Sequence, residues 1–259
     1  DPFLRLRMED PDIGAYAIDG DHVALLRTGR MSGETWVTAL GDDPDRILAL
    51  IEELRPHGFD GVTAHDHVFV QLPDELQGPD PGHWSLWELT SPHSLESALV
   101  HADVAVSENT TAHSAPPTVR LEPDDPRIDP LLEHSSSAYI HAGDPHVVEW
   151  RGITDGDQLL AVGARVGAAH GRAHLVSICA DPAYRGRGLG RAITASLAAE
   201  ALASGATGVW LEMYADNAVA ARAYRAVGLE EMGRYRSALL DNWIDRKSGS
   251  AGMPRPIAY

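Results

Sequence analysis

The sequence predicts a mixed α+β fold built as two units in tandem, and three observations carry that prediction. Short apolar runs rich in β-branched residues, bounded by turn residues, interleave with stretches whose apolar residues recur every three or four positions. Charge divides unevenly: residues 1–117 carry a net −15, residues 118–259 only −2, of −17 in all. Between the two lies a polar, Pro-containing segment of linker composition, 106–117. This gives an acidic α+β unit over 1–105, the linker at 106–117, a second unit over 118–244 and a Gly/Ser/Pro tail over 245–259.

In the first unit, His22 to Leu26 and Thr35 to Leu40 read as strands around a turn at Gly29 to Gly33. A helix over Asp42 to Arg55 follows. Asp42 or Asp43 is placed to cap it, and Ile47, Leu48, Ile51 and Leu54 make its apolar face. Gly61 to Thr63, Val68 to Leu72 and Trp84 to Leu89 read as further strands. In the second unit, Thr118 to Leu121 is a short strand, and Asp129 to Ser136 and Ala138 to His141 read as helical. Strands follow over Val147 to Ile153, Gln158 to Val166 and His174 to Ala180, with an Asp155-Gly156-Asp157 hairpin turn between the first two. An Arg/Gly-rich loop, a helix, a strand over Val209 to Tyr214 and a helix from Ala218 to Val227 complete the unit.

Composition narrows the function classes. At 44% hydrophobic and 23% charged, the 259 residues match a soluble globular protein rather than a disordered or fibrous one. No apolar run approaches the ~18 residues of a membrane span, and Asp1-Pro2-Phe3 opens no signal pattern. The one cysteine, Cys179, excludes an internal disulfide and fits a reducing cytoplasm. The negative charge disfavours nucleic acid and suits solubility or a cationic partner. Lys247 is the one lysine, so nearly all positive charge is arginine.

The sharpest motif is Arg185-Gly186-Arg187-Gly188-Leu189-Gly190-Arg191, with a strand before it and an amphipathic helix after it. Glycines let successive N–H groups converge on one point. The helix start adds unpaired N–H groups and its positive dipole end, so the arrangement forms an anion cradle suited to a diphosphate. A Walker loop needs a Gly-Lys-Ser/Thr sequence absent here. The glycine spacing also departs from G-x-G-x-x-G, although Glu212 lies 22 residues past Gly190, where a dinucleotide fold places its acidic residue. A plain Gly-rich turn with solvated arginines is the bland alternative.

The run Asp181-Pro182-Ala183-Tyr184-Arg185-Gly186-Arg187-Gly188-Leu189-Gly190 resembles the acyl-CoA signature of the GNAT N-acetyltransferase superfamily, Gln/Arg-x-x-Gly-x-Gly/Ala. Asn217, Ala220, Tyr224 and Gly228-Leu229 resemble its second signature, with Leu229 where Phe is common. The resemblance runs from about Thr118 to Leu240 and leaves the first half unmatched, either as a degenerate half of the same fold or as an unrelated cap.

The resemblance implies a GNAT-like catalytic unit with acetyl-CoA as co-substrate and no metal. Backbone groups of Ile178 and Ala180 would take the pantetheine arm in a splay between that strand and Val209 to Tyr214. The amides of Arg185, Gly186, Arg187, Gly188, Leu189, Gly190 and Arg191 would take the pyrophosphate, and Asn217 would contact the cofactor. Tyr224 would donate to the departing thiolate, and Glu212, twelve residues before it, would act as base or as an anchor for the amine. The implied reaction moves acetyl to a primary amine by direct attack in a ternary complex, with a small-molecule or peptide acceptor and, as in many members, a homodimer. A silent acyl-CoA sensor and a nucleotide-binding enzyme are the competing readings.

Other residues read as structural. Cys179 on the cofactor strand is a core residue before it is an acyl carrier. His174 at the strand's start and Trp84, Trp87, Trp150 and Trp210 read as packing residues. His65-Asp66-His67 offers one or two metal ligands, with no third or fourth at a recognisable spacing, so no metal is expected.

Overall fold

The structure, a computed structural model, describes residues 1–7, 13–28, 33–89 and 117–240. The chain divides into two compact units. The first comprises Asp1–Ser85, Tyr214–Asp216 and Gly233–Tyr259, the second Leu86–Met213 and Asn217–Met232. Composition places the division at 106–117 instead. Most of that segment and the 245–259 tail lie outside the described residues, as does most of the expected Gly29 to Gly33 turn.

The first unit begins with helix α1 (Pro2–Arg7) and strands β1 (Ile13–Asp19), β2 (His22–Thr28) and β3 (Thr35–Leu40), paired antiparallel in sequence. Helix α2 (Pro44–Leu54) leads to β4 (Gly61–His65), which lies parallel to β3. Asp43 caps α2, its Oδ1 accepting from the backbone N–H groups of Asp45 and Arg46 at 3.0 and 3.3 Å. Ile47, Leu50, Ile51 and Leu54 form the buried face of α2. They pack against Ala24, Leu26, Val37, Ala39, Val62 and Ala64 of the strands. Two short helices follow, α3 (Asp66–Phe69) and α4 (Asp74–Gln77), then β5 (Gly82–Leu89). The apolar run Val68 to Leu72, expected as a strand, instead supplies α3 and a turn. So short an apolar run carries no period that separates strand from helix. Strand β11 (Glu230–Leu239), absent from the sequence reading, pairs antiparallel with β4 through Tyr235–Leu239.

The second unit has β6 (Val119–Leu121), helix α5 (Ile128–Leu132) and the antiparallel series β7 (Val147–Asp155), β8 (Gln158–Ala169) and β9 (Arg172–Ala180). The hairpin turn lies where expected, with Asp155 opposite Gln158 and Gly156 at φ +56°. Residues 138–141, expected to be helical, form no regular element. Ala138 and Ile140 are buried there, and the Ile140 carbonyl accepts from Ser177 Oγ at 2.9 Å. Helix α6 (Leu189–Ala203) joins β9 to β10 (Gly208–Tyr214), which runs parallel to it, and helix α7 (Ala218–Arg225) leads to β11.

Each unit thus contains three antiparallel strands, a helix and a strand parallel to the third: β1-β2-β3-α2-β4 in the first, β7-β8-β9-α6-β10 in the second. The first half is a second copy of this order. The joining loops differ in chemistry, Gly41-Asp42-Asp43 in the first and the Arg/Gly-rich run in the second. The core on the α6 side of the second unit includes Trp87 and Leu89 from β5, so a fragment beginning at Thr118 lacks part of that core.

Candidate active site

The candidate site lies in the second unit at the carboxyl end of β9, where parallel sheets ordinarily place their ligands. Strands β9 and β10 pair at Ala173 with Val209 and at His174 with Trp210. Beyond that level Leu175–Ala180 and Leu211–Tyr214 continue without a residue pair between them. The expected splay is present. Strands that part in mid-sheet leave backbone donors and acceptors on the facing edges for another molecule to satisfy.

A bulge accompanies the parting. Val162 pairs with Cys179 and Ala164 with Val176, so Ser177 and Ile178 together face Gly163. Ser177 takes φ +52°, a strained conformation for a side-chain-bearing residue, and its hydroxyl is tied to the Ile140 carbonyl. Gly163 is required there, because a Cβ would meet Ile193 Cγ2 at 2.6 Å. Ile178 and Ala180, the expected pantetheine-facing residues, are half-buried and pack against the α6-side core.

The loop is fastened at both ends. Asp181 Oδ1 accepts from the Ala183 N–H at 2.8 Å, its other oxygen from Gln158 Nε2 at 3.2 Å, and the Tyr184 hydroxyl reaches Gln158 Oε1 at 3.3 Å. At the far end buried Leu189 fixes the start of α6 in the core. Between them Gly186 and Gly188 have φ +78° and +76°, which only glycine adopts at no cost. No side chain caps α6, so its first amides point out of the helix unpaired by the helix itself. A Cβ on Gly186 or Gly190 would meet nothing within 4 Å. The space in front of the amides is open.

The three arginines differ. Arg185 is committed to the loop, donating from Nε to the Ala180 carbonyl at 3.4 Å and from a terminal nitrogen to the His134 carbonyl at 3.3 Å. Arg187 lies over the Tyr184 ring at 4.9 Å. Arg191 comes near the position a Gly188 Cβ would take. Among the described residues none of the three forms an ion pair, which in a chain of net charge −17 leaves a local cationic patch. Unpaired guanidinium groups beside unpaired amides favour an anion.

Tyr224 of α7 lies in the core shared with Leu189, Leu211 and Met213, with Trp87 edge-on at 6.3 Å. Its hydroxyl makes no hydrogen bond among the described residues. Burial alone pushes its pKa up to about 12. Glu212 is half-buried on β10 between Leu211 and Met213. Side chains alternate along a strand, so Glu212 leaves the face opposite to the one that packs with Tyr224. The two expected catalytic residues therefore flank the parted strands from opposite sides.

Asn217 has a role that the sequence reading did not weigh. Its Oδ1 accepts from the Ala220 N–H at 3.0 Å and caps α7. Asn217→Ala should cost about 1 kcal/mol of stability in urea unfolding, and Asn217→Asp should keep it, because Asp caps equally well. If the amide also touches the cofactor, the Asn217→Asp variant binds acetyl-CoA more weakly at unchanged stability; equal affinity in variant and parent assigns Asn217 to the cap alone.

Cys179 is buried, its thiol donating to the Leu131 carbonyl at 3.4 Å, and burial raises its pKa. A protonated thiol turned to the α5 side of the sheet is a packing group, as expected. His174 stacks on Trp210 at 3.6 Å with the planes 5° apart, where the last residue pair holds the strands together.

A strand, a Gly-rich turn and a helix N-terminus beside a parted parallel pair define a mixed α+β fold whose loop presents open backbone amides. Residues 105–229, just under half of the chain, match the family described as acetyltransferase (GNAT). Its members are acyltransferases that use acetyl-CoA as co-substrate. Residues before 105 fall outside that match, and no curated protein is similar enough in sequence to match the chain. Solved structures resemble it over nearly its full length. A putative GNAT acetyltransferase from Novosphingobium aromaticivorans is 18% identical, covers 93% of this chain and 98% of its own, and gives a TM-score of 0.52. A GCN5-related N-acetyltransferase from Kribbella flavida is 17% identical over 88% of this chain and 89% of its own, with a TM-score of 0.56. At such identities the likeness concerns the fold, and it extends to the first unit as well as the second. Among the described residues no helix is long and apolar enough to cross a membrane.

Proposed function

We propose that the protein is an N-acetyltransferase that carries acetyl from acetyl-CoA to a primary amine by direct attack in a ternary complex. The observation that carries this reading is the parting of β9 from β10 beside the Gly186–Gly190 amides, with Tyr224 in the core at that site. The pyrophosphate meets the amides and the arginines that carry no ion pair, and the pantetheine arm takes the strand edge at Ile178 and Ala180. The thioester then lies in the gap, open to both faces of the sheet.

The reaction needs one proton removed from the acceptor ammonium before its nitrogen can attack. Glu212, on the face away from Tyr224, takes that proton directly or through water. The nitrogen bonds to the thioester carbonyl, the C–S bond breaks, and the sulfur leaves as thiolate. Tyr224 with a pKa of about 12 holds its proton more tightly than a thiol of ordinary pKa ~8.5, so it serves as hydrogen-bond donor to the departing sulfur. The nitrogen's second proton ends on the sulfur, which gives the amide and free CoA. An acceptor bearing positive charge suits the net −17 of the chain, and small amines and peptide amines both satisfy the chemistry.

Calorimetric titration with acetyl-CoA, with ATP and NAD as controls, tests the first requirement. Selective binding near micromolar affinity is expected, about −8 kcal/mol. Preference for ATP or NAD would overturn the reading. Binding without thiol release across a panel of amines would leave an acyl-CoA sensor.

A further inference from the structure

The first unit repeats the β-β-β-α-β order of the second, so it has its own ligand position, the carboxyl ends of the parallel pair β3 and β4. What stands there is different. The loop after β3 brings Asp42, and the end of β4 brings His65 and, two residues on, His67. We propose that Asp42, His65 and His67 bind one divalent transition-metal ion of the zinc class.

The spacing of the donor atoms fits. Asp42 Oδ1 stands 3.6 Å from His65 Nδ1 and 3.3 Å from His67 Nε2, and one atom from each of the three residues falls within 4.8 Å of the others. Ligands bound tetrahedrally at ~2.0–2.1 Å stand roughly 3.4 Å from each other, so an ion enters with little movement. Two imidazole nitrogens and one carboxylate oxygen are a zinc-type set, whereas magnesium and calcium prefer oxygen alone.

A second observation comes from the far side of the His65 ring. Its Nε2 lies 2.9 Å from Asp1 Oδ2, and the other Asp1 oxygen accepts from the Phe3 N–H at 2.7 Å in the first turn of α1. A carboxylate on one ring nitrogen draws the N–H to that side and turns the lone pair of Nδ1 toward Asp42. This is the outer carboxylate that metal-bound histidines ordinarily carry. The buried Tyr235 ring lies edge-on to His65 at 5.1 Å and fixes its plane. His65 is mostly covered, while the side chains of His67 and Asp42 are 58% and 87% exposed, so the ion's remaining positions open to solvent. The histidine pair alone did not reveal this, because its third partner lies 23 residues upstream of His65 and is brought in by the β3–β4 pairing.

The test is calorimetry of the metal-free, tag-free full chain with ZnCl2, and separately with MgCl2, with thermal unfolding followed in parallel. One zinc per chain is expected, with a raised Tm and no response to magnesium. His67→Ala and Asp42→Asn change exposed groups and should fold as the parent does while losing at least tenfold in zinc affinity. Asp1→Asn keeps an acceptor for Phe3 and should weaken zinc binding about 10–100-fold through the ring it orients. His57→Ala, at an exposed histidine outside the cluster, should bind as the parent does. No zinc bound, equal binding of magnesium, or zinc affinity untouched in both His67→Ala and Asp42→Asn would each overturn the proposal.

Discussion

Tyr224→Phe should lower kcat by about 10²–10³-fold, the usual size of a lost hydrogen-bond donor to developing charge, while acetyl-CoA affinity stays within a few-fold of the parent. The structure makes this substitution unusually clean. The Tyr224 ring supplies packing to the α6-side core, and Phe keeps the ring. The hydroxyl makes no hydrogen bond among the described residues, so its removal strands no partner, and stability should change by less than about 1 kcal/mol. A fall in kcat with unchanged unfolding therefore reports chemistry alone. A kcat equal to the parent's would make Tyr224 a core residue and remove it from the mechanism. The pH profile adds a second readout. Burial raises the Tyr224 pKa to about 12, so Tyr224 contributes no falling limb to kcat below pH ~10. The sign for stability follows from linkage. A pKa raised above its unfolded value of ~10 contributes stability that is intact below pH ~10 and is lost as pH climbs toward about 12.

Gly190→Glu should move stability and binding in opposite directions. Gly190 is the second residue of α6, at ordinary helical φ, and a Cβ there meets nothing within 4 Å. Any side chain is easier than glycine inside a helix by roughly 0.5–1 kcal/mol, and an acidic one in the first turn gains about 0.3–1 kcal/mol more from the dipole. The variant should thus be as stable as the parent or more so. The same side chain projects into the open space before the loop amides and carries negative charge to the point proposed for the pyrophosphate. Acetyl-CoA affinity should fall at least 100-fold, read by calorimetry beside urea unfolding. A variant that gains stability and keeps its affinity would show that the diphosphate does not lie at this helix end.

Much of the candidate site was legible because its signal is local. Gly186 and Gly188 need positive φ, the helix after them shows its own periodicity, and the carboxyl–amide turn at Asp181 is written in consecutive residues. The strand-helix-strand frame around the loop followed from patterns of two and of three to four. What escaped was of three kinds. The run Val68 to Leu72 was too short to carry a period, and it folded as a helical turn. Residues 138–141 were apolar enough to suggest a helix, yet they are held by burial and by the Ser177 hydroxyl rather than by helical hydrogen bonds. Strand β11 alternates weakly, and its place beside β4 is set by pairing with residues about 170 positions away.

The sequence by itself determined the class of fold, the Gly-rich loop at a helix start, a cap at Asp42 or Asp43 and the acidic character of the first half. These depend on neighbours in the chain, and local geometry fixes them. Only the tertiary structure decided where β9 and β10 part, because the bulge at Ser177 depends on a hydroxyl–carbonyl contact with Ile140 and on the absent Cβ of Gly163. It also decided that Glu212 and Tyr224 stand on opposite faces and that Asp42 meets His65 and His67. Each of these is a relation between residues distant in the chain or between the faces of one strand. Side-chain direction and strand register create such relations, and residue order alone does not carry them.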